Sequence, residues 1–144
     1  MKSIIAALFL VVFLSAPAQA ELSLLTQIPE DIPQEGRIFV DVRPESACIG
    51  QSLAESVCLP VERFVSAEGR LANLRDIRWL LGALGMTGSE IALVIADDPQ
   101  RRDIVAAVLY LAGQREVIRS GLPVSSLLQK GQLQHGSSRS AAFF

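Results

Sequence analysis

Residues 90–113 read EIALVIADDPQRRDIVAAVLYLAG, and no other stretch of the chain constrains its fold as tightly. From Ile91 to Ala96 every residue is apolar, at odd and even positions alike. A strand so patterned is covered on both faces, as in a parallel sheet held between two helix layers. Asp98 followed by Pro99 is a strong helix start. The Asp side chain accepts hydrogen bonds from the first free amides, and proline at the first helical position gives up no bond. Gly113 stands where a left-handed residue would end that helix, over about residues 99–112. Strand, turn and helix in this order make half of a βαβ unit, and the turn at a strand's carboxyl end is where such folds bind anions or hold nucleophiles. Here that turn carries Asp97 and Asp98, and no Cys, Ser or His.

The rest of the chain continues the alternation. RIFVDV (37–42) reads as a buried strand, and SVCLP (56–60) as a short strand ended by Pro60. LANLRDIRWLLGALG (71–85) has Leu71, Leu74, Ile77, Leu80, Leu81 and Leu84 at helical spacing, with Gly85 to end it. Trp79, one turn from these leucines, reads as packing. REVIRS (115–120) is the last strand, and LPVSSLLQKG gives a short helix from near Pro123 to Gly131. ELSLLTQIPEDIPQEG (21–36) reads as a lead-in with one helical turn, and the tail 132–144 as loose. There is no internal repeat. The expectation is one α/β domain with a parallel sheet flanked by helices on both faces, over residues 21–131.

The opening segment MKSIIAALFLVVFLSAPAQA has a basic start at Lys2, an apolar run over 4–14 and small residues at Ala18 and Ala20. That is the pattern of a secretory signal peptide spanning 1–20, cut between Ala20 and Glu21. The apolar run is short for a bilayer span, so the expectation is a periplasmic or secreted protein without a stable membrane anchor; an uncleaved anchor is the alternative. The leader takes one of the 13 basic residues and none of the 15 acidic ones, leaving a net charge of −3 by difference. No basic stripe is present, which argues against nucleic acid as a partner. In an oxidising compartment the pair Cys48 and Cys58 is a candidate disulfide; two buried free thiols are the other reading.

Several chemistries are set aside. His135 is the only histidine and lies in the tail, a poor frame for a Ser-His-Asp or Cys-His mechanism. Two cysteines and that histidine fall short of a zinc site, and no glycine-rich phosphate loop follows a strand. No metal and no cofactor is expected.

FVDVRPESACIGQSLAESVCLPVERF resembles the opening of a rhodanese-like domain, through Asp41, Val42, Arg43 and Pro60. LLGALGMTGSEIALVIA resembles the helix, Leu-Gly turn and central strand of that family, and RRDIVAAVLYLAGQREVIRSGLP the helix, Ala-Gly turn, last strand and glycine turn. The resemblance covers roughly residues 24–130. It implies a sulfurtransferase ancestry, with a persulfide-carrying cysteine at the end of the central strand and an arginine five residues on. Those positions fall on Ala96 and Arg101, with Asp97, Asp98, Pro99 and Gln100 between them. QSLAES stands where the family's Gly-His-Ile-Pro-Gly-Ala stretch would be. The resemblance also implies that Asp41 and Arg43 shape the fold as a buried pair.

Three functional readings follow. The first is a catalytically inactive module that binds an extracytoplasmic protein partner, with the turn 96–101 a degenerate active-site loop. In this reading Asp98 caps the helix, where a substrate anion would otherwise sit, and Asp97→Ala is expected to cost less stability than Asp98→Ala. Arg101 and Arg102 are expected to pair with Asp97 or Asp103. The second is a thiol or sulfurtransferase-type enzyme that uses Cys48 or Cys58, with Arg43 the nearest cation in sequence to depress a thiol pKa. The third is a small-anion binder using Arg101 and Arg102, against which the two carboxylates count.

Overall fold

The computed structural model describes residues 21–25, 35–130, 133–134 and 136; the leader, the segment 26–34, residues 131–132 with the expected helix end Gly131, His135 and the last eight residues lie outside the described residues. The chain runs β1 (Glu21–Leu25), β2 (Arg37–Asp41), α1 (Glu45–Gly50), β3 (Ser52–Leu53), β4 (Ser56–Cys58), a single 3₁₀ turn (Val61–Arg63), α2 (Leu74–Ala83), β5 (Ile91–Ile95), α3 (Pro99–Ala112), β6 (Glu116–Ser120), α4 (Val124–Lys130) and β7 (Leu133–Gln134).

Five strands form one all-parallel sheet in the order β1-β6-β5-β2-β4, as the apolar run at 91–96 requires of its neighbours. β5 alternates between two cores. Ala92, Val94 and the following Ala96 join Ile77, Leu80 and Leu81 of α2 and Val105, Ala106 and Leu109 of α3. Ile95 faces the other way, onto Val124 and Leu127 of α4 and Leu53. The helices therefore cover both faces of the sheet.

The helix ends follow local chemistry. Asn73 Oδ1 accepts from the Asp76 amide at 3.0 Å and caps α2. Asp98 Oδ1 accepts from the Gln100 amide at 2.8 Å and caps α3, with Pro99 in its first turn. At the other end Gly113 is left-handed, at φ 106°, and the Gln114 amide reaches back to the Leu109 carbonyl.

Four expectations need correction. Residues 21–25 of the lead-in are an edge strand, in register with β6 from Glu21↔Glu116 to Leu25↔Ser120. α2 begins at Leu74, so Leu71 precedes it, and both leucines are exposed. Trp79 is 62 % exposed, on the face of α2 turned away from the core. The tail is not wholly loose: β7 pairs antiparallel with β3, Ser52↔Gln134 and Leu53↔Leu133.

Candidate functional site

β2 leads outward in the sheet to its neighbour β4, whereas β5 leads outward the other way to β6. The gap beyond the carboxyl ends of β2 and β5 is thus the point where the strand order reverses, the usual place for a ligand crevice in an open parallel sheet. A cavity of about 180 Å³ lies there, lined by Val42, Arg43, Pro44 and Ala47 on one side and Ala96, Asp97, Asp98 and Arg101 on the other. Ala96 directly follows β5 and is buried. The structure thus brings four of the six residues of the acidic turn to one pocket; Pro99 and Gln100 begin α3 and are exposed.

The carboxylates at this pocket serve the backbone. Asp98 Oδ1 receives the Gln100 amide and, at 3.4 Å, that of Arg101. Asp97 Oδ1 receives the Val124 amide at 3.0 Å, so it anchors the first residue of α4 from across the sheet end. That contact, 27 residues apart, leaves no trace in sequence spacing. The helix amides that would greet an incoming anion are already occupied by an internal acid.

The arginines divide differently from expectation. Arg101 pairs with Glu62 in the 3₁₀ turn and not with Asp97. Its Nε is buried and has no hydrogen-bond partner among the described residues, which leaves one donor at the pocket wall. Arg102 does pair with Asp103, at 2.8 Å, and its Nη1 donates to the Ser120 carbonyl. It is buried against β6 and does not line the pocket. A two-arginine anion clamp is therefore not formed.

Arg43 and Asp41 make the buried pair that the resemblance implied. Asp41 is fully buried; its Oδ2 accepts from Arg43 Nη2 at 2.7 Å and from Ser52 Oγ at 2.6 Å, and its Oδ1 from the Arg43 amide at 3.0 Å. The hydrogen bond to Asp41 raises the Arg43 pKa above its ordinary value; burial opposes this, and the charges of Asp41 and Asp97 add to it. With both Asp41 oxygens engaged, the pair fixes the loop after β2 and offers no free base.

Cys48, on α1, and Cys58, ending β4, have their sulfurs 2.00 Å apart and their Cα atoms 5.8 Å apart, a disulfide. Both residues are essentially buried, at 0 % and 1 % exposed. They are the chain's two cysteines, so the oxidised structure holds no thiol. Neither cysteine lines the pocket, although α1 does so through Ala47. Among the described residues, no cluster of three His, Cys, Asp or Glu is placed to hold a metal, and no helix is long and apolar enough to cross a membrane.

No family model and no curated protein matches the sequence. Solved structures do match in shape. The Rhodanese_3 like domain of the Alr3790 protein from Anabaena sp superposes with a TM-score of 0.51 at 12 % identity, over 72 % of this chain and 96 % of that one. The crystal structure of YnjE superposes with a TM-score of 0.57, also at 12 % identity, over 74 % of this chain and 26 % of that longer one. At such identities the likeness defines the fold: this is a single α/β domain of rhodanese-like architecture.

Proposed function

We propose that the protein is an exported, catalytically silent rhodanese-like module that acts by binding a protein partner outside the cytoplasm. One observation carries the reading: at the carboxyl end of the central strand of a rhodanese-like sheet, the residue directly after β5, on the cavity wall, is the alanine Ala96. A methyl group cannot attack a sulfur donor or hold a persulfide. The adjoining carboxylates reinforce this, because they repel an anionic donor and occupy the amides that would hold it. The export part rests on the leader pattern and on a disulfide-forming cysteine pair, which suits an oxidising compartment. For recognition, the pocket keeps apolar walls and the unpartnered Arg101 Nε, a fit for a partner side chain with an acceptor at its tip.

The test is a thiosulfate:cyanide sulfurtransferase assay on the purified exported chain. The expected rate equals that of an enzyme-free blank. Turnover well above it, dependent on protein concentration, overturns the reading.

A further inference from the structure

The sheet ends on β1, and among the described residues nothing pairs with the outer side of that strand. The hydrogen bonds fix which of its backbone groups face outward. Glu21 donates its amide to the Arg115 carbonyl at 2.7 Å, one residue before its register partner Glu116. In a parallel pair this turns both polar groups of Glu21, and of every second residue after it, toward β6. The groups that point away from the sheet are therefore the N–H and C=O of Leu22 and Leu24. The side chains of the same two leucines are 40 % and 49 % exposed. Leu22 is in register with Val117, which belongs to the core under α2 and α3, so both leucines lie on the α3 face. Arg119, in register with Leu24, donates to the Ser23 carbonyl and pairs with Asp103, so this side of α3 borders β1. Tyr110, two turns on from Asp103 along the same side, is exposed. Natural sheets guard an open edge with a lysine, a proline or a bulge, and from Leu22 to Leu25 this one has none of them.

We infer that β1 is a self-pairing edge: two copies of the chain join antiparallel through Leu22–Leu24 and make one continuous sheet. The occupant is a second copy because Leu22-Ser23-Leu24 reads the same in both directions. With a two-fold axis through Ser23, Leu22 of one copy stands opposite Leu24 of the other. Their outward groups then match as a hydrogen-bonded pair, and the same pair recurs across the axis, so four backbone bonds form. The four leucines become cross-strand neighbours on one face, flanked by Tyr110 of each copy. No like charges meet: Glu21 falls opposite Leu25, and the Arg119–Asp103 pair behind the edge is neutral. A strand of another protein would gain the backbone bonds without this match of leucine to leucine. An edge of five residues is small against the roughly 800 Å² per partner of a stable interface, so the dimer is weak and forms at about 100 μM. No residue lining the cavity lies on β1 or β6, so pairing leaves the pocket open, and the inference does not rest on the reading of that pocket.

The test is sedimentation equilibrium of the purified exported chain from about 10 μM to about 1 mM. Wild type should pass from monomer to dimer across this range. Leu24→Pro removes an outward amide only, so β1 keeps its bonds to β6 while the partner loses a donor. Ser23→Lys sets two ammonium groups against each other across the axis. Each variant should dimerise at least about tenfold more weakly, with a urea midpoint close to wild type. Ser23→Cys reads the register. At a non-hydrogen-bonded antiparallel pair the two Cα atoms stand about 4.5 Å apart, within reach of a disulfide. In a glutathione redox buffer this variant should give a covalent dimer, whereas Leu22→Cys, each copy facing Leu24, should not. A wild type that stays monomeric at the top of the range overturns the inference and leaves the edge to a strand of another protein. So does a dimer that neither Leu24→Pro nor Ser23→Lys weakens, or equal crosslinking of Ser23→Cys and Leu22→Cys. Should Leu24→Pro fail to fold, Ser23→Lys and the crosslinking decide.

Discussion

Asp97 and Asp98 are neighbours in sequence, yet each holds a different helix. Asp98 caps α3 from within its own turn, and Asp97 ties down α4 through the Val124 amide. Capping is a local property, visible in the dipeptide Asp-Pro; the Asp97 contact depends on how the sheet brings residue 124 beside residue 97. Asp98→Ala should lower stability by about 0.5–2 kcal/mol, the ordinary range for a lost cap. Asp97→Ala strands a partly buried amide and should cost a comparable ~1–2 kcal/mol, against the smaller loss that sequence alone suggested. Urea denaturation of both variants checks this; a negligible effect of Asp97→Ala would show that the Val124 contact contributes nothing. The same two residues govern what an introduced nucleophile can do. Ala96→Cys would put a thiol at the head of α3, where the dipole lowers its pKa and the two carboxylates raise it. The single variant should form a persulfide with thiosulfate only slowly. Adding Asp97→Asn and Asp98→Ser removes both charges and keeps an acceptor for each amide, so the triple variant should react at least tenfold faster. Arg101→Gln in that background should take the gain away. Mass detection of the persulfide reads all three, and equal rates for single and triple variants would mean the carboxylates do not guard the site.

At the scale of the element, the disulfide joins α1 to β4 across a separation of ten residues. A closed loop of that length stabilises by about 2–3 kcal/mol in the chain-entropy account. α1 is six residues long, its first residue follows a proline, and no side chain caps it. So short a helix has little stability of its own. Reduction, or Cys48→Ser with Cys58→Ser, should therefore lower the urea midpoint and loosen the pocket wall at Ala47, which amide exchange over residues 45–50 would register. An unchanged midpoint would show that packing alone holds α1. How much of this was legible in the sequence varied with how local the cause was. β5 and α3 were readable almost to the residue, because a continuous apolar run, an Asp-Pro start and a Gly stop are all written in the segment itself. β2, β6 and α4 followed from pattern and alternation. β1 escaped, since it lies at a sheet edge with Leu22 and Leu24 exposed and so lacks the buried apolar run that marks β2 and β5. β3 and β7 escaped because two residues give no period, and they pair only after the tail returns to α1. Trp79 was misjudged for a related reason: helical spacing says which residues share a face but not how wide the buried stripe is. At the pocket, the strand-turn-helix pattern marks the turn 96–101 locally; the Asp97–Val124 and Arg101–Glu62 contacts needed the fold.

For the whole molecule, the expected fall of stability in acid follows from carboxylates whose pKa the fold lowers. Asp103 on α3 has its pKa lowered, first by the hydrogen bond from Arg102, against a smaller opposing effect of burial, and then by the charges of Arg102 and of Arg119 on β6. Glu90, just before β5, is pushed up by burial, but the hydrogen bonds from the Thr87 hydroxyl and amide and the Gly88 amide outweigh this and lower it. These two groups fasten opposite ends of the central region: Glu90 orders the turn that feeds β5, and Asp103 ties α3 to β6. Their sign is the same. A folded-state pKa below the unfolded value means that the unfolded chain binds more protons as the pH drops. Their contribution is complete above the ordinary carboxylate values of 4.5 for Glu and 3.8 for Asp, and is lost as the pH falls through the depressed folded-state values. Arg43 has the opposite sign, but its pKa is raised further from an already strongly basic value, so its contribution is constant through neutral and acid pH. Stability should thus be flat from about pH 7 to 5 and begin to fall as the pH drops below the ordinary values of 4.5 for Glu90 and 3.8 for Asp103. The double variant Glu90→Gln, Asp103→Asn should be less stable than wild type at pH 7 and lose less between pH 5 and 3, so that the two urea-midpoint curves converge in acid. Parallel curves across that range would mean that other carboxylates carry the acid transition.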